Sequence, residues 1–244
     1  MQKRVKNIFN PNAAEPFRIS RSRLENFIRC PRCFYLDRRL GIDQPPGYPF
    51  TLNNAVDYLL KKEFDLHRAA GTPHPLMKQY GIAAVPFLHP EIDRWRENFV
   101  GLQYWHRPTN FLVTGAVDDI WQNPAGDLIV VDYKATSTND EITLESEYRQ
   151  AYKRQIGIYQ WLLRQLGYKV ANTGYFVYAN GRKDRQAFDG KLEFDVQIIA
   201  HKGDDQWVEP LLLEARKCLE GLLPPYSEHC DFCDYRRASQ TVEN

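Results

Sequence analysis

Apolar and polar positions recur with two different periods along the chain, and these periods predict its helices and strands. Helical spacing marks the segments 22–39, 56–70, 93–104, 145–166 and 204–222, and Ser22 with Glu25 forms a candidate capping box for the first of them. Strand patterns mark 110–121, 127–134, 173–179 and 191–200. Since helices flank a central group of strands, the sequence predicts an α/β fold with a central mixed β-sheet.

Proline, glycine and asparagine indicate the connections between these elements. The turn 123–126 predicts that the first two strands form a hairpin, and Asn180-Gly181 is a candidate turn after the third. The segment 73–90 is a proline-rich connection, and Pro224-Pro225 ends the last helix before a short cysteine-bearing tail. A chain of 244 residues without repeats predicts a single domain over residues 1–244.

Composition narrows the class of protein. The 32 basic and 31 acidic residues give a formal net charge of +1, which excludes binding of polyanions by bulk charge alone. No segment has the length and apolar character of a signal peptide or a membrane span, so we expect a cytoplasmic protein without a membrane partner.

The strand at residues 128–134, Leu-Ile-Val-Val-Asp-Tyr-Lys, ends in charged residues, and the strand before it ends in Asp118. A hairpin brings Asp118 and Asp132 close to Lys134, and strand periodicity places Asp132 and Lys134 on one face. Tyr133 then points away and leaves its backbone carbonyl as a further oxygen ligand. Such ligands suit Mg²⁺ or Mn²⁺, which favours metal-assisted phosphodiester hydrolysis with Lys134 positioning or deprotonating a water. The alternative is that these are ordinary surface charges at strand ends.

The helix after the hairpin carries Lys153, Arg154, Gln155 and Tyr159. Gln155 and Tyr159 lie one helical turn apart, next to the basic pair, so the four side chains could hold a nucleic-acid backbone. The alternative is a solvated helix face opposite an apolar one.

These motifs together resemble a known family. Gly115-x-x-Asp118, Asp132-x-Lys134 and Gln155-x-x-x-Tyr159, preceded by Ser22-x-Leu24 and Cys30-Pro31, resemble the RecB-like branch of the PD-(D/E)xK nucleases. The resemblance implies a restriction-endonuclease-like core and a divalent-metal site formed by Asp118, Asp132 and the Tyr133 carbonyl. It also implies that Lys134 is the catalytic lysine and that Gln155 and Tyr159 contact DNA.

One motif departs from the pattern of this branch, whose members typically carry Gly-x-x-x-His on an N-terminal helix with the histidine as a metal ligand. The matching segment here is Asn53-Asn-Ala-Val-Asp57. Asp57 can bind a hard cation, so an all-oxygen site is expected. The alternative is that Asp57 is an exposed helix residue and that Glu63 or His67 is the ligand, or that neither is.

Cysteine pairs near both ends of the chain form a second candidate metal site. Cys30 and Cys33, in segment 20–40, and Cys230 and Cys233, in segment 224–237, have metal-ligand spacing. The resemblance implies a 4Fe-4S cluster, which related nucleases hold with one N-terminal and three C-terminal cysteines. Ser239 stands at the usual last position, and Cys33 takes its place. The resulting two-plus-two spacing is equally natural for structural Zn²⁺, and four unligated thiols are a third alternative.

The leading hypothesis is therefore a metal-dependent DNA nuclease, either an exonuclease or a structure-selective endonuclease. It would act on single-stranded or end-containing DNA in repair, recombination or defence. The alternative is a catalytically weak or inactive DNA-binding subunit of a larger nuclease-helicase or CRISPR-adaptation complex, with helicase or adaptation proteins as partners.

Overall fold

The computed structural model describes residues 4–243, without the side chains of residues 148 and 243, and the chain forms two compact units. The first unit comprises residues 4–48, 103–114 and 206–243, and the second comprises 49–102 and 115–205. Each unit is thus assembled from segments that are distant in the sequence. That residues 1–244 act as a single nuclease domain stays a prediction.

The helices and strands of the chain occur in groups of one type rather than in strict alternation. In order they are β1 (Phe17–Ser20), α1 (Arg21–Arg29), α2 (Pro31–Leu40), α3 (Thr51–Ala70), α4 (Pro75–Gln79), β2 (Val85–Pro86), α5 (Ile92–Arg96), β3 (Leu102–His106), β4 (Phe111–Gly115), β5 (Asp119–Gln122), β6 (Leu128–Thr136), α6 (Gln150–Gln165), β7 (Thr173–Gly181), β8 (Phe194–Lys202), α7 (Val208–Glu220) and α8 (Asp231–Glu243). Among the residues that the structure describes, no helix is both long and apolar enough to cross a membrane.

The second unit is built on a mixed five-stranded sheet with the strand order β2-β5-β6-β7-β8. β5 and β6 form the predicted antiparallel hairpin, β6 runs parallel to β7, and β7 is antiparallel to β8. A parallel pair needs a crossover connection, and α6 lies in the connection between β6 and β7. The predicted α/β class with a central mixed sheet is confirmed.

The two faces of β6 are covered by different helices because successive side chains on a strand point to opposite faces. Val131 and Tyr133 pack in one apolar cluster with Phe64 of α3. Asp132, between them, is hydrogen-bonded to Gln155 of α6. The apolar part of the strand therefore serves the core, while its carboxylate faces α6.

The first unit contains a three-stranded sheet in the order β1-β4-β3, in which β1 is parallel to β4. The rings of Phe9, Phe17 and Phe111 pack against one another, with centroids 5.3 to 6.4 Å apart. Helices α1, α2 and α7 contact one another. The cysteine-bearing helices α2 and α8 both belong to this unit.

The first helix differs from its prediction. The segment 22–39 is two helices, α1 and α2, which meet at Cys30 in an extended conformation. Pro31 follows, and because proline lacks an N–H it begins a new helix more readily than it continues one. The predicted Ser22–Glu25 capping box is wrong, since the N-cap residue is Ser20 and its side chain makes no capping hydrogen bond.

Other differences arise where short apolar runs are ambiguous between helix and strand. The predicted helix 93–104 is α5 followed by β3, and the predicted strand 110–121 is divided into β4 and β5, which belong to different sheets. Asn180-Gly181 is not a turn but continues β7, because it pairs with Phe194 and Asp195 of β8. The connection 73–90 contains α4 and β2, and the tail after residue 230 is the helix α8.

Candidate active site

The charged end of β6 lies on the α6 side of the sheet. Asp132 is fully buried, with 0 % of its surface exposed, and its carboxylate forms an ion pair with Lys134, two residues along the strand. The Tyr133 side chain points to the opposite face, where its hydroxyl donates to Asp119 Oδ2 at 2.7 Å. This is the arrangement that strand periodicity predicts for Asp132 and Lys134. Their catalytic roles, and that of the Tyr133 carbonyl as a ligand, stay predictions.

Asp118 is the residue before β5, and its side chain is hydrogen-bonded to the backbone of β6. Its Oδ2 accepts a hydrogen bond from the Tyr133 N–H at 3.0 Å. Burial by itself raises the pKa of Asp118, but the charges of Lys61 and Lys134 and the Tyr133 N–H outweigh it and hold the pKa below its usual value. Asp118 is therefore ionised at neutral pH. It lies beside the backbone of Tyr133, the residue between Asp132 and Lys134.

Helix α3 contributes a third carboxylate, Asp57, and also Lys61, which the sequence did not indicate as a site residue. Lys61 Nζ lies 2.8 Å from Asp57 Oδ2 and 3.2 Å from Asp118 Oδ1, so it bridges the two acids. Burial and then the charge of Asp118 raise the pKa of Asp57, and the contacts with Lys61 oppose this rise. The i, i+4 spacing of Asp57 and Lys61 was visible in the sequence, but it is common on exposed helix faces and does not indicate a site.

Gln155 and Tyr159 of α6 face the carboxylates from the interior. They are 6 % and 2 % exposed, and Gln155 Nε2 donates to Asp132 Oδ1 at 2.6 Å and to the Tyr159 hydroxyl at 3.2 Å. These contacts orient Asp132. A Cβ at Gly115 would lie 2.6 Å from the Tyr159 ring, so the glycine of Gly115-x-x-Asp118 leaves room for that ring.

The basic pair on α6 lies in the turn that precedes Gln155. Lys153 Nζ is 3.4 Å from Glu145 Oε1, and both Lys153 and Arg154 are partly exposed. Contacts of Lys153, Arg154, Gln155 and Tyr159 with DNA stay predictions.

Asp119, next to Asp118 in the sequence, belongs to a separate buried network. It is 0 % exposed and accepts hydrogen bonds from Arg68, Arg96 and the Trp121 indole as well as from Tyr133. Every charge in this network is paired within the protein, which is the usual condition for burying ionised groups. Two adjacent aspartates therefore have different environments, one in the candidate site and one in the core.

A cavity of about 370 Å³ lies beside Lys134. Its walls are mostly aromatic and aliphatic side chains from four segments of the second unit: Phe50, Leu52, Val56, Tyr152, Tyr178, Leu192 and Phe194. Asn53, also in its lining, donates to the Ala135 carbonyl at 2.8 Å and so fastens the start of α3 to the end of β6. Because Asn53 lies one helical turn before Asp57, the cavity adjoins the cluster of carboxylates.

The donor set of this cluster suits a hard divalent cation. Asp57, Asp118 and Asp132 offer carboxylate oxygens, the ligands that Mg²⁺ and Mn²⁺ prefer. Lys61 contacts both Asp57 and Asp118, and Lys134 contacts Asp132, so a positive charge lies beside each carboxylate. Binding of a metal ion requires the Lys61 ammonium group to turn aside from Asp57 and Asp118.

The four cysteines of the first unit also come together, as the sequence predicts. Their sulfur atoms all lie within 4.8 Å of one another and are buried, and all are free thiols rather than disulfides. Burial raises the pKa of Cys30 and raises that of Cys33 to about 11. Burial also opposes ionisation of Cys230, but the Cys233 N–H and the neighbouring sulfurs lower its pKa. Segments 20–40 and 224–237 are thus joined at one candidate metal site.

Comparisons with known proteins identify the family of this chain. A sequence profile of the PD-(D/E)XK nuclease superfamily matches residues 18–238. Among solved structures, the chain is similar to the one described as "Crystal structure of SSO0001", with 17% sequence identity and a TM-score of 0.40 over 93% of this chain and 87% of that one. A search of curated proteins gave no match.

Proposed function

Because the chain belongs to the PD-(D/E)XK nuclease superfamily, we propose that it is a metal-dependent DNA nuclease with its phosphodiester-cleaving site in the second unit. One observation carries the proposal. At the end of the β5–β6 hairpin opposite its turn, Lys134 contacts Asp132, and the N–H of Tyr133, the residue between them, binds Asp118. At this end of the strand Tyr133 packs in the core, whereas Asp132 and Lys134 form an ion pair on the other face.

Asp57, Asp118, Asp132 and the Tyr133 carbonyl would hold Mg²⁺ or Mn²⁺. The bound ion would supply a polarised water and offset the negative charge that builds up at phosphorus. Gln155 fixes the Asp132 carboxylate through its amide N–H. The Lys134 side chain lines the adjoining cavity, and its ammonium group would position the attacking water or a phosphate oxygen.

The cavity beside Lys134 supports single-stranded or end-containing DNA as the substrate. Its aromatic and aliphatic walls suit the face of an unstacked base, and stacking of this kind contributes about 1–3 kcal/mol per base without sequence preference. A base inside an intact DNA duplex is already stacked and paired, so it must leave the duplex before it can enter the cavity. Lys153 and Arg154 would contact phosphates of the same strand. Both an exonuclease and a structure-selective endonuclease are consistent with such a site.

This activity fits a role in DNA repair, recombination or defence, in which a helicase or an adaptation protein would supply the single strand. The alternative function is a DNA-binding subunit with weak or no cleavage. One observation favours it: Lys61 already provides a positive charge between Asp57 and Asp118.

The test is a cleavage assay on end-labelled single-stranded and duplex DNA, without metal and with Mg²⁺ or Mn²⁺. We expect metal-dependent cleavage of the single strand and a loss of about 10²-fold or more in Asp132→Asn and Lys134→Met. Lys169→Met is the matched control, because Lys169 also pairs with an aspartate, Asp127, but lies near the opposite end of β6.

Two outcomes contradict the proposal. Metal-dependent cleavage that persists in both site variants would place the reaction elsewhere in the preparation. DNA binding by the wild-type chain without cleavage in either metal would support the binding-subunit alternative instead.

A further inference from the structure

The separations of the four cysteine sulfurs, all within 4.8 Å of one another, fit one metal ion better than an iron-sulfur cluster. The Sγ atoms of Cys30 and Cys233 are 3.5 Å apart, those of Cys33 and Cys230 are 3.6 Å apart, and those of Cys33 and Cys233 are 4.0 Å apart. Four sulfurs at about 2.3 Å from one tetrahedral zinc ion have edges of about 3.8 Å, which matches these separations. In a 4Fe-4S cluster each sulfur binds a different iron, so the separation between irons spreads the sulfurs further apart.

The two cysteine pairs have the same local structure, which is the second observation. Cys30 is the N-cap of α2 and accepts a hydrogen bond from the Cys33 N–H, and Cys230 directly precedes α8 and receives the Cys233 N–H in the same way. Each Cys-x-x-Cys pair thus presents two sulfurs from the first turn of a helix. Two such pairs supply the four vertices of a tetrahedron, whereas a one-plus-three arrangement requires a third cysteine further along α8.

Ser239, at the position of that third cysteine, does not belong to the group of close ligand atoms. Ser239 Oγ donates to the Arg236 carbonyl of its own helix at 3.0 Å. The fifth cysteine, Cys218, is also outside the group, since its sulfur lies 3.9 Å from the Pro31 carbonyl and belongs to no set of mutually close ligand atoms among the described residues.

We propose that Cys30, Cys33, Cys230 and Cys233 bind a single Zn²⁺ ion that fastens the two ends of the chain within the first unit. The zinc has a structural role, because four thiolates fill its tetrahedral coordination and leave no position for a substrate. The aromatic ring of Tyr226 packs against the cysteine group and is covered by the Arg32 guanidinium, 3.9 Å from the ring centroid. Arg32 in turn donates to the Pro224 carbonyl at 2.7 Å, so the shell around the site also joins the two segments.

The test is the metal content and spectrum of the full-length protein purified under anaerobic conditions. We expect a colourless protein with one zinc ion per chain and an X-ray absorption spectrum showing four sulfurs at about 2.3 Å around zinc. A brown protein that contains iron and acid-labile sulfide would overturn the proposal, as would a folded protein with no bound metal. This readout is independent of DNA cleavage, so its failure and a failure of the proposed nuclease activity are distinguishable.

Variants locate the ion. Cys33→Ser and Cys230→Ser are expected to lose zinc and to unfold at lower temperature, whereas Cys218→Ser keeps both zinc and stability. Retention of a full complement of zinc in the first two variants would also overturn the assignment. If these two variants do not fold, the absorption spectrum of the wild-type protein decides.

Discussion

Asp118 and Asp119 are adjacent in the sequence but occupy different environments, so the same substitution should affect a different property at each position. Asp119→Asn removes a charge that Arg68 and Arg96 neutralise in the core, whereas Asp118→Asn removes a partly exposed charge at the candidate metal site. We expect Asp119→Asn to lower stability and Asp118→Asn to lower metal binding and cleavage.

The magnitude for Asp119 follows from its burial. Its carboxylate is 0 % exposed and accepts from the side chains of Arg68, Arg96, Trp121 and Tyr133. Removing one partner of a buried ion pair costs about 3–5 kcal/mol, since the remaining charges stay buried without compensation. With a urea dependence of about 3 kcal/mol per molar, this loss lowers the unfolding midpoint by about 1–1.7 M.

Asp118→Asn keeps an oxygen that can accept from the Tyr133 N–H, so we expect a midpoint change of less than about 0.3 M. Metal affinity and cleavage should fall about 10²-fold or more. Urea unfolding followed by tryptophan fluorescence, Mn²⁺ titration and the single-strand cleavage assay measure the three quantities. An Asp119→Asn variant that keeps the wild-type midpoint but loses cleavage would refute the reasoning, because Asp119 would then be the site carboxylate.

Three further predictions concern the same unit. Lys61→Met should bind Mn²⁺ more tightly in calorimetric titration, since the ammonium group no longer competes for Asp57; an unchanged affinity would contradict the bridging role. Phe50→Ala should weaken single-strand binding about 10-fold and leave duplex binding unchanged, whereas Phe188→Ala, equally exposed at 72 % against 71 %, should change neither; equal losses would argue against the cavity. Burial by itself raises the pKa of Asp65, but the hydrogen bonds and charges of Arg68 and Arg96 outweigh burial and lower the pKa overall. The ionised Asp65 side chain therefore stabilises the fold fully at pH values above the ordinary aspartate pKa of about 3.9, and this stabilisation is lost as the pH falls through the lowered pKa. The difference in urea midpoint between wild type and Asp65→Asn should therefore be constant near neutral pH and shrink in acid; a difference that grows in acid would refute this sign.

Part of the fold follows from local patterns. The alternation in 128–134 predicted which side chains of β6 share a face, because strand geometry fixes that period whatever packs against it. The two Cys-x-x-Cys pairs predicted a joint site through their spacing alone, and the structure brings them together. Pro31 also indicated the break between α1 and α2 at Cys30, because proline directly follows that residue. The helical spacing of apolar residues across 22–39 nevertheless led to the prediction of one continuous helix.

Other parts of the candidate site depend on contacts between residues distant in the sequence. Lys61 bridges Asp57 and Asp118 only because α3 packs against the sheet, and Asp119 is distinguished from Asp118 only by the arginines that surround it. The Gly115–Tyr159 contact likewise joins two motifs that are 44 positions apart.

The sequence by itself determined the residue types and their local periods: a strand that ends in Asp-Tyr-Lys, a hairpin, and two cysteine pairs. The tertiary structure alone decided that Asp119 is paired with arginines in the core, that Lys61 lies between Asp57 and Asp118, and how far apart the four sulfurs lie. The reason is physical, because periodicity and turn preferences act between near neighbours. Burial, ion pairing and metal geometry are properties of side chains brought together by folding.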